Sequence, residues 1–439
     1  MTAEYTATPP EEDLDLERRT FRRLGLRLFP LLVLTLFVNF MDRANLGVVA
    51  SPMSDDLGLS GSAFGLAAGL FYLGYLLCEV PSNVALNKFG ARIWIARIMI
   101  TWGLLTICLM FVSGPVSLNI LRFLLGAAEA GLFPGIILYL TYWCPGRLFA
   151  RAYSTFQVAV PVGLALTSLI TSAILLMHDV LGLAGWRWVF LIEGLPAVLL
   201  GILVFLVLPN GPKDAKWLRP DEREYLLRHA QAARSGDTHR RGALAEVMRS
   251  KLTWIYAVLY FCMIIGFWTI TYWLPTVVQE HFEVSAVSSG LISAVPWAFT
   301  AVAMVAVGIS STRTNDVRWH MIGCLVVGGL ALLGSTLVDS PILALVLLCL
   351  AAGGTQAASP LFWARTSTVF AGALAAVAIA FVNSLGNVSG LVGPYVLGLL
   401  SDLTGDTRLG LVVMSIFILV AALLTSVIVR APATPGKEQ

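Results

Sequence analysis

Twelve runs of apolar residues, each long enough to cross a bilayer, fix what this chain can fold into. They fall at residues 28–50, 63–86, 92–113, 117–141, 152–177 and 187–208. After a polar interval they resume at 253–278, 285–310, 319–338, 341–363, 373–400 and 409–430. A span needs about 20 predominantly apolar residues. Inside hydrocarbon every backbone N–H and C=O must be satisfied within the protein, which a helix does inside its own segment. The expected fold class is therefore all-α and integral to the membrane, with twelve transmembrane helices in two six-helix bundles. A composition of 57% hydrophobic and 13% charged residues, with mean hydropathy +0.81, excludes a chain that is globular in water.

The runs divide the sequence into an N-terminal tail (1–27), a first bundle (28–208), a central loop (209–252), a second bundle (253–430) and a short C-terminal tail (431–439). Residues 209–251 carry ten Lys and Arg. Basic residues collect on the cytosolic side of membrane proteins. Placing both termini and the loop there leaves only Arg43, Arg122, Arg187 and Arg408 of the 29 Lys and Arg elsewhere. The connections at 51–62, 113–117 and 279–288 contain none. The loop's charge thus reads as an orientation signal and not as a nucleic-acid surface. Within it, Arg219-Pro220-Asp221-Glu222-Arg223-Glu224 has the makings of a surface helix start. Residues 1–20 lack the basic start, short apolar core and cleavage site of a secretory signal, and read as a disordered cytosolic tail. The six cysteines form no CxxC or Cys/His cluster, so neither a metal site nor a disulfide framework is expected. No phosphate loop, nucleophile–base set or dinucleotide fingerprint stands in a suitable context, and the chain is not expected to be an enzyme.

The polar residues inside the runs carry the chemistry. Asn39-Phe40-Met41-Asp42-Arg43-Ala44-Asn45 lies well within the first run, where a charged side chain at a helix centre costs roughly 2.5–3.5 kcal/mol. Asp42 and Arg43 are two such groups, flanked by amides. Arg122 and Glu129, seven apart, project from nearly one face of the fourth run. Glu79 and Glu193 complete the intramembrane set with these four, and the interiors of runs seven to twelve hold no acid or base. The first bundle therefore holds the charge, and the second offers dipoles, aromatic surface and shape. Paired charges at such depth read as a substrate or ion site, with a structural ion pair between helices as the alternative. A guanidinium is a planar, bidentate fork for a carboxylate. Burial disfavours an ionised carboxyl and a nearby guanidinium favours it, the balance that proton coupling needs. Glu79, sharing a face with Tyr75, suits a gate or a helix cap. Glu193 and the Trp186-Arg187-Trp188 group read as fold residues near the outer surface, the tryptophans as interfacial belt anchors. Gln157, Asn383 and Asn387 are either helix-packing amides or ligand contacts. Trp268 and Tyr272 read as packing.

Asp42-Arg43-Ala44-Asn45, Gly74-Tyr75 with Glu79-Val80-Pro81-Ser82-Asn83, and Gly90-Ala91-Arg92-Ile93-Trp94-Ile95-Ala96-Arg97 resemble the anion:cation symporter family of the major facilitator superfamily. So do Arg122-Phe123 with Glu129-Ala130-Gly131-Leu132-Phe133-Pro134, Gly185-Trp186-Arg187-Trp188, and Asn383-Ser384-Leu385-Gly386-Asn387. The resemblance runs from the first span to the last. It implies the major facilitator fold and a secondary active transporter of the inner (plasma) membrane. It also implies import, by proton symport with alternating access, of a small organic anion: tartrate, a sugar acid or an aromatic acid. The implied partners are that anion and the bilayer, with no obligate protein partner and no cofactor beyond the coupling ion, H+. By the same resemblance Asp42 and Glu129 are the proton-coupling pair and Arg43 and Arg122 bind the anion. The resemblance also implies that Tyr75, Gln157, Asn383 and Ser359 line the cavity. Arg365 departs from the family's uncharged stretch, as a second anion contact or an ordinary positive-inside residue. Asn87 and Thr312 stand where the superfamily's basic turns carry an acid. Two rivals remain at this level. One is efflux by proton antiport, although Pro161-Val162-Gly163 is only a fragment of an antiporter motif. The other is a membrane sensor that binds the anion without moving it.

Overall fold

The computed structural model describes residues 11–144, 146–235, 243–370 and 375–428, and the regular structure among them is helical throughout. Among the described residues twelve helices are long and apolar enough to cross a membrane. Spans 1 to 6 are Phe29–Val48, Gly61–Phe89, Ala91–Phe111, Pro115–Thr141, Gln157–Leu175 and Gly185–Val207. Spans 7 to 12 are Lys251–Phe282, Ala286–Thr314, Arg318–Ser335, Pro341–Val369, Val377–Thr404 and Arg408–Ile428. Spans 2, 7, 8 and 10 are capped at their starts. The hydroxyls of Ser60, Ser250, Ser285 and Ser340 each accept the N–H three residues on, satisfying a donor the helix leaves orphaned.

In the first half, span 3 lies along span 6, span 2 along span 4 and span 1 along span 5; in the second, spans 9, 10 and 12 pack together with span 8 on span 10. The halves meet through spans 2 and 11, 5 and 8, and 1 and 7. Lipid gives apolar helices no hydrophobic reason to associate, so close backbone approach has to supply it. Gly61, Gly65 and Gly69 present one small-residue face of span 2 to Gly398, Pro394 and Leu391 of span 11. A Cβ on Gly65 would stand 2.3 Å from the Pro394 carbonyl oxygen, and one on Gly398 would stand 2.1 Å from that of Gly61. Gly290 meets Ser172 between spans 8 and 5, and Gly47 meets Thr271 between spans 1 and 7. Asp402 closes the seam: its two carboxylate oxygens accept the backbone N–H groups of Gly61 at 2.7 Å and Ser62 at 2.8 Å, a negative group on the positive end of a helix. All these contacts lie at the span ends remote from the central loop, so that face is sealed.

At the loop face the expectation of a disordered tail is corrected from Glu11 onward. A helix Glu11–Arg27 docks on the central-loop helix Pro220–Ser235, which starts where the Arg219-to-Glu224 segment suggested. Arg19 pairs with Asp221, Arg23 donates to Glu222 at 2.8 Å, and Tyr225 donates to Glu17 at 3.4 Å. The mixed charge of the tail is complementarity to the loop helix and not solvation. Residues 1–10 and the C-terminal tail lie outside the described residues.

The tightest approach within the first half is span 4 on span 2, where a Cβ on Gly126 would stand 1.9 Å from the Phe71 carbonyl oxygen. Gly126→Ala should lower the melting temperature of the purified protein in detergent, since overpacking a close interface costs about 1–3 kcal/mol. Gly308→Ala, with nothing within 4 Å of the added carbon, should not. Equal melting temperatures for the two variants would contradict the packing described.

Candidate functional site

Between the halves lies a cavity of about 560 Å³. Its walls come from the loop-side parts of spans 1, 2, 4, 5, 7, 10 and 11, with Arg43 at its depth and Asn83, Thr141 and Trp363 toward the loop face.

Arg43 is positioned from three directions. Asn39 and Arg43, four apart, share a face of span 1. The guanidinium Nε and Nη2 both stand 2.6 Å from Glu129 Oε1, and Asn39 Nδ2 donates to the same oxygen. The rings of Tyr75, Phe71, Phe40 and Trp268 surround the guanidinium carbon at 5.1, 5.2, 5.7 and 5.8 Å, where ring faces attract a cation.

Glu129 owes its place to a break in span 4. The helix Pro115–Glu129 stops there and resumes at Leu132. Gly131 takes φ +86°, which an L side chain tolerates poorly, and any Cβ would collide with Ser82 Oγ. A helix C-terminus is the negative pole of its dipole, so a carboxylate at that point demands a cation. Arg43 supplies it.

Asp42, next in sequence to Arg43, points elsewhere because successive helical residues diverge by about 100°. It is buried off the cavity in the first half, accepting from Thr106 Oγ1 at 2.7 Å. Glu193 is not near the surface as expected. It too is buried, takes a 2.6 Å hydrogen bond from Thr171, and has Asn45 and Asp42 alongside. Trp186 is likewise no belt anchor: it is fully buried, and its indole N–H donates to Asp56 at 3.0 Å. An apolar run does not say which of its faces meets lipid and which meets protein.

Arg122 does not line the cavity. It stands behind Phe71, 4.9 Å from the ring centroid, and donates to the Ala67 carbonyl at 3.3 Å and the Tyr272 hydroxyl at 3.5 Å. Tyr272 donates in turn to the Tyr72 hydroxyl at 3.3 Å, so this chain of contacts crosses from one half to the other. Of the other residues singled out, Tyr75, Glu79, Gln157, Ser359 and Asn383 all line the cavity, as does Asn387. Glu79 Oε2 accepts from Ser384 Oγ of span 11 at 3.2 Å, a second bridge between halves. Arg365 engages Tyr256 and is not in the lining. Sequence reasoning missed Tyr72, Gln356 and Ser384, which line the cavity. Gln356 sits three residues before Ser359 in an apolar run, a same-face polar pair that could have been read. Gly131 followed by Pro134 likewise announced the break in span 4. No cluster of metal-ligating side chains occurs among the described residues.

The site thus offers one guanidinium at the base of a cavity whose remaining wall is aliphatic, aromatic, amide and hydroxyl, with the Glu79 carboxylate among the described lining residues. The Major Facilitator Superfamily signature matches residues 32–394. A protein of Agrobacterium vitis named "Putative tartrate transporter" is 42% identical, covering 96% of this chain and 98% of its own. A "Quinolone resistance transporter" of Acinetobacter baumannii is 34% identical over 94% and 96%. Among solved structures, a bacterial homologue of the human lysosomal transporter Spinster superposes with TM-score 0.76 at 17% identity, covering 93% of this chain and 98% of that one. With twelve spans, a signature over most of its length and relatives of this similarity, the chain belongs to the Major Facilitator Superfamily and is a multi-pass membrane transporter, not an enzyme.

Proposed function

We propose that this transporter imports a small organic carboxylate across the plasma membrane together with protons, by alternating access. The Arg43–Glu129 pair at the base of the cavity is the observation that carries the reading. An anion that draws the Arg43 guanidinium to itself leaves the Glu129 carboxylate without its cation, in a place closed to water. A proton on Glu129 replaces the neutralisation that Arg43 withdraws, so anion and proton bind with positive and reciprocal coupling. Asp42, off the cavity, is the second proton site. The tartrate name of the 42% identical relative supports a carboxylate substrate. The glycine seams and Asp402 close one face while the cavity lies toward the other, and rocking of the halves would exchange the two. The distribution of Lys and Arg supports a cytosolic cavity side.

The name of the quinolone-resistance relative favours a second reading, proton-antiport efflux through the same cavity. Direction separates the two. In proteoliposomes, a proton gradient directed into the lumen should drive an acid inward by symport and expel it by antiport.

Three outcomes test the proposal. Arg43→Lys should weaken carboxylate binding about tenfold, or ~1.4 kcal/mol, because a point charge replaces a fork. Arg122→Lys should lower thermal stability more than affinity. Equal affinity losses in the two would place both guanidiniums on the anion. Glu129→Gln should still exchange substrate in counterflow yet fail to accumulate it under a pH gradient; normal accumulation would sink the coupling scheme. For sidedness, a single cysteine at position 57 should react with an impermeant thiol reagent on intact cells, and one at position 230 should not. The reverse pattern would invert the topology.

A further inference from the structure

We propose that a groove between spans 5 and 8 binds one anionic phospholipid of the loop-side leaflet, its phosphate on Arg313 and an acyl chain laid along span 8. The site is separate from the substrate cavity, and the proposal does not depend on which solute that cavity takes.

A second space, of about 490 Å³, opens between the loop-side parts of spans 5, 8 and 10. Spans 5 and 8 touch near the sealed face, where Gly290 meets Ser172, and part toward the loop face. Gly308 marks the gap: a Cβ added there would meet nothing within 4 Å. Met304, Gly308 and Thr312, four apart, form one row of the span 8 wall, and Val305 and Ile309 form the row beside it. Both of the latter are exposed.

The lining changes character with depth. Thr312 and Arg313 stand at the loop-side end of span 8, which closes at Thr314, and both are exposed. Elsewhere the described lining is aliphatic apart from Gly308 and the Gln157 amide, with no aromatic ring and no second charge. From Met304 to Arg313 span 8 rises about 13 Å, against about 15 Å for the hydrocarbon of one leaflet. A chain hung from a headgroup at Arg313 therefore runs the length of the groove and ends near Met304. Gln157 lines this space and the substrate cavity alike.

A water-soluble anion gains nothing from the aliphatic wall, and a neutral hydrocarbon nothing from the guanidinium. An anionic amphiphile engages both. Guanidinium grips phosphate through two parallel N–H groups, and basic pockets between spans at the cytosolic leaflet suit anionic headgroups. Asp316, the acid nearest Arg313 in sequence, is engaged elsewhere, with His320 Nδ1 at 2.9 Å and the N–H of Trp319 at 3.0 Å. Spans 5 and 8 belong to opposite halves, so the bound chain would lie in the seam itself.

The test titrates the full-length protein, in a neutral detergent, with dioleoyl phosphatidylglycerol and separately with dioleoyl phosphatidylcholine, counting bound lipid by native mass spectrometry. The first phosphatidylglycerol should bind at least about tenfold more tightly than the first phosphatidylcholine. Arg313→Gln, at an exposed position, should bring the two within about threefold by weakening the anionic lipid. Gly308→Phe, which fills the groove and keeps the guanidinium, should weaken phosphatidylglycerol by at least about tenfold. No preference between the lipids in the unmodified protein would overturn the proposal, as would a preference unchanged in Arg313→Gln. Undiminished binding in a folded Gly308→Phe would place the lipid elsewhere and overturn it too. Displacement of the phosphatidylglycerol by millimolar inorganic phosphate would show a site that reads phosphate alone, and would overturn the acyl chain's part in it.

Discussion

The contact between the Arg43 guanidinium and the Glu129 carboxylate is the interaction on which the rest of this molecule depends. Two charges at mid-membrane would each be costly alone. Here one oxygen of Glu129 collects Nε, Nη2 and the Asn39 amide, and four aromatic rings surround the cation. The arrangement requires span 1 to present Asn39 and Arg43 together. It requires span 4 to stop at Glu129, and span 2 to bring Phe71 and Tyr75 alongside. It therefore sets the mutual position of three helices. Removing one partner of such a buried pair is far more damaging than replacing both, so the pair is a scaffold for the first half.

Much of this was legible in the sequence, because the constraints that shape a membrane chain act on composition and length. Twelve spans, the confinement of charge to the first half and the polar cavity candidates Tyr75, Gln157, Ser359 and Asn383 could be read from single residues in apolar runs. What could not be read was direction. Asp42 and Arg43 are neighbours in the chain, yet helical geometry sends one into the first half's interior and the other into the cavity. Arg122 and Glu129 share a stripe, yet Phe71 stands between Arg122 and the cavity. Glu193 and Trp186 looked peripheral because nothing in a run of apolar letters distinguishes a lipid-facing side from a packed one. The docked N-terminal helix was missed for another reason: its acids and bases are paired with residues some two hundred positions away, and composition alone cannot see a partner.

The unequal division of charge between halves gives the two bundles different work. The first brings Arg43 and Glu79 to the cavity; the second contributes Trp268, Gln356, Ser359 and Asn383, neutral groups that give it shape and hydrogen-bonding capacity. Contacts that cross the seam are of two kinds. Near the sealed face they are close approaches at glycines and the Asp402 carboxylate on the Gly61 and Ser62 N–H groups. Around the cavity they are hydroxyls: Tyr272 with Arg122 and Tyr72, and Ser384 with Glu79. The glycine approaches are set by hard contact and the cavity contacts by hydrogen bonds.

That division has a consequence for how the molecule rests. The sealed face has no slack: carbonyl oxygens sit where a methyl group on Gly65 or Gly398 would have to go. A methyl inserted there acts as a wedge on one state alone. In the alternating-access scheme proposed above, it leaves every cavity residue untouched while tipping the balance toward the opposite opening, and a bias of about 5.5 kcal/mol carries a two-state equilibrium from one extreme to the other. The seam is thus a handle on conformation independent of ligand, a place where the volume of a single carbon can hold the transporter in the state that substrate would otherwise have to select.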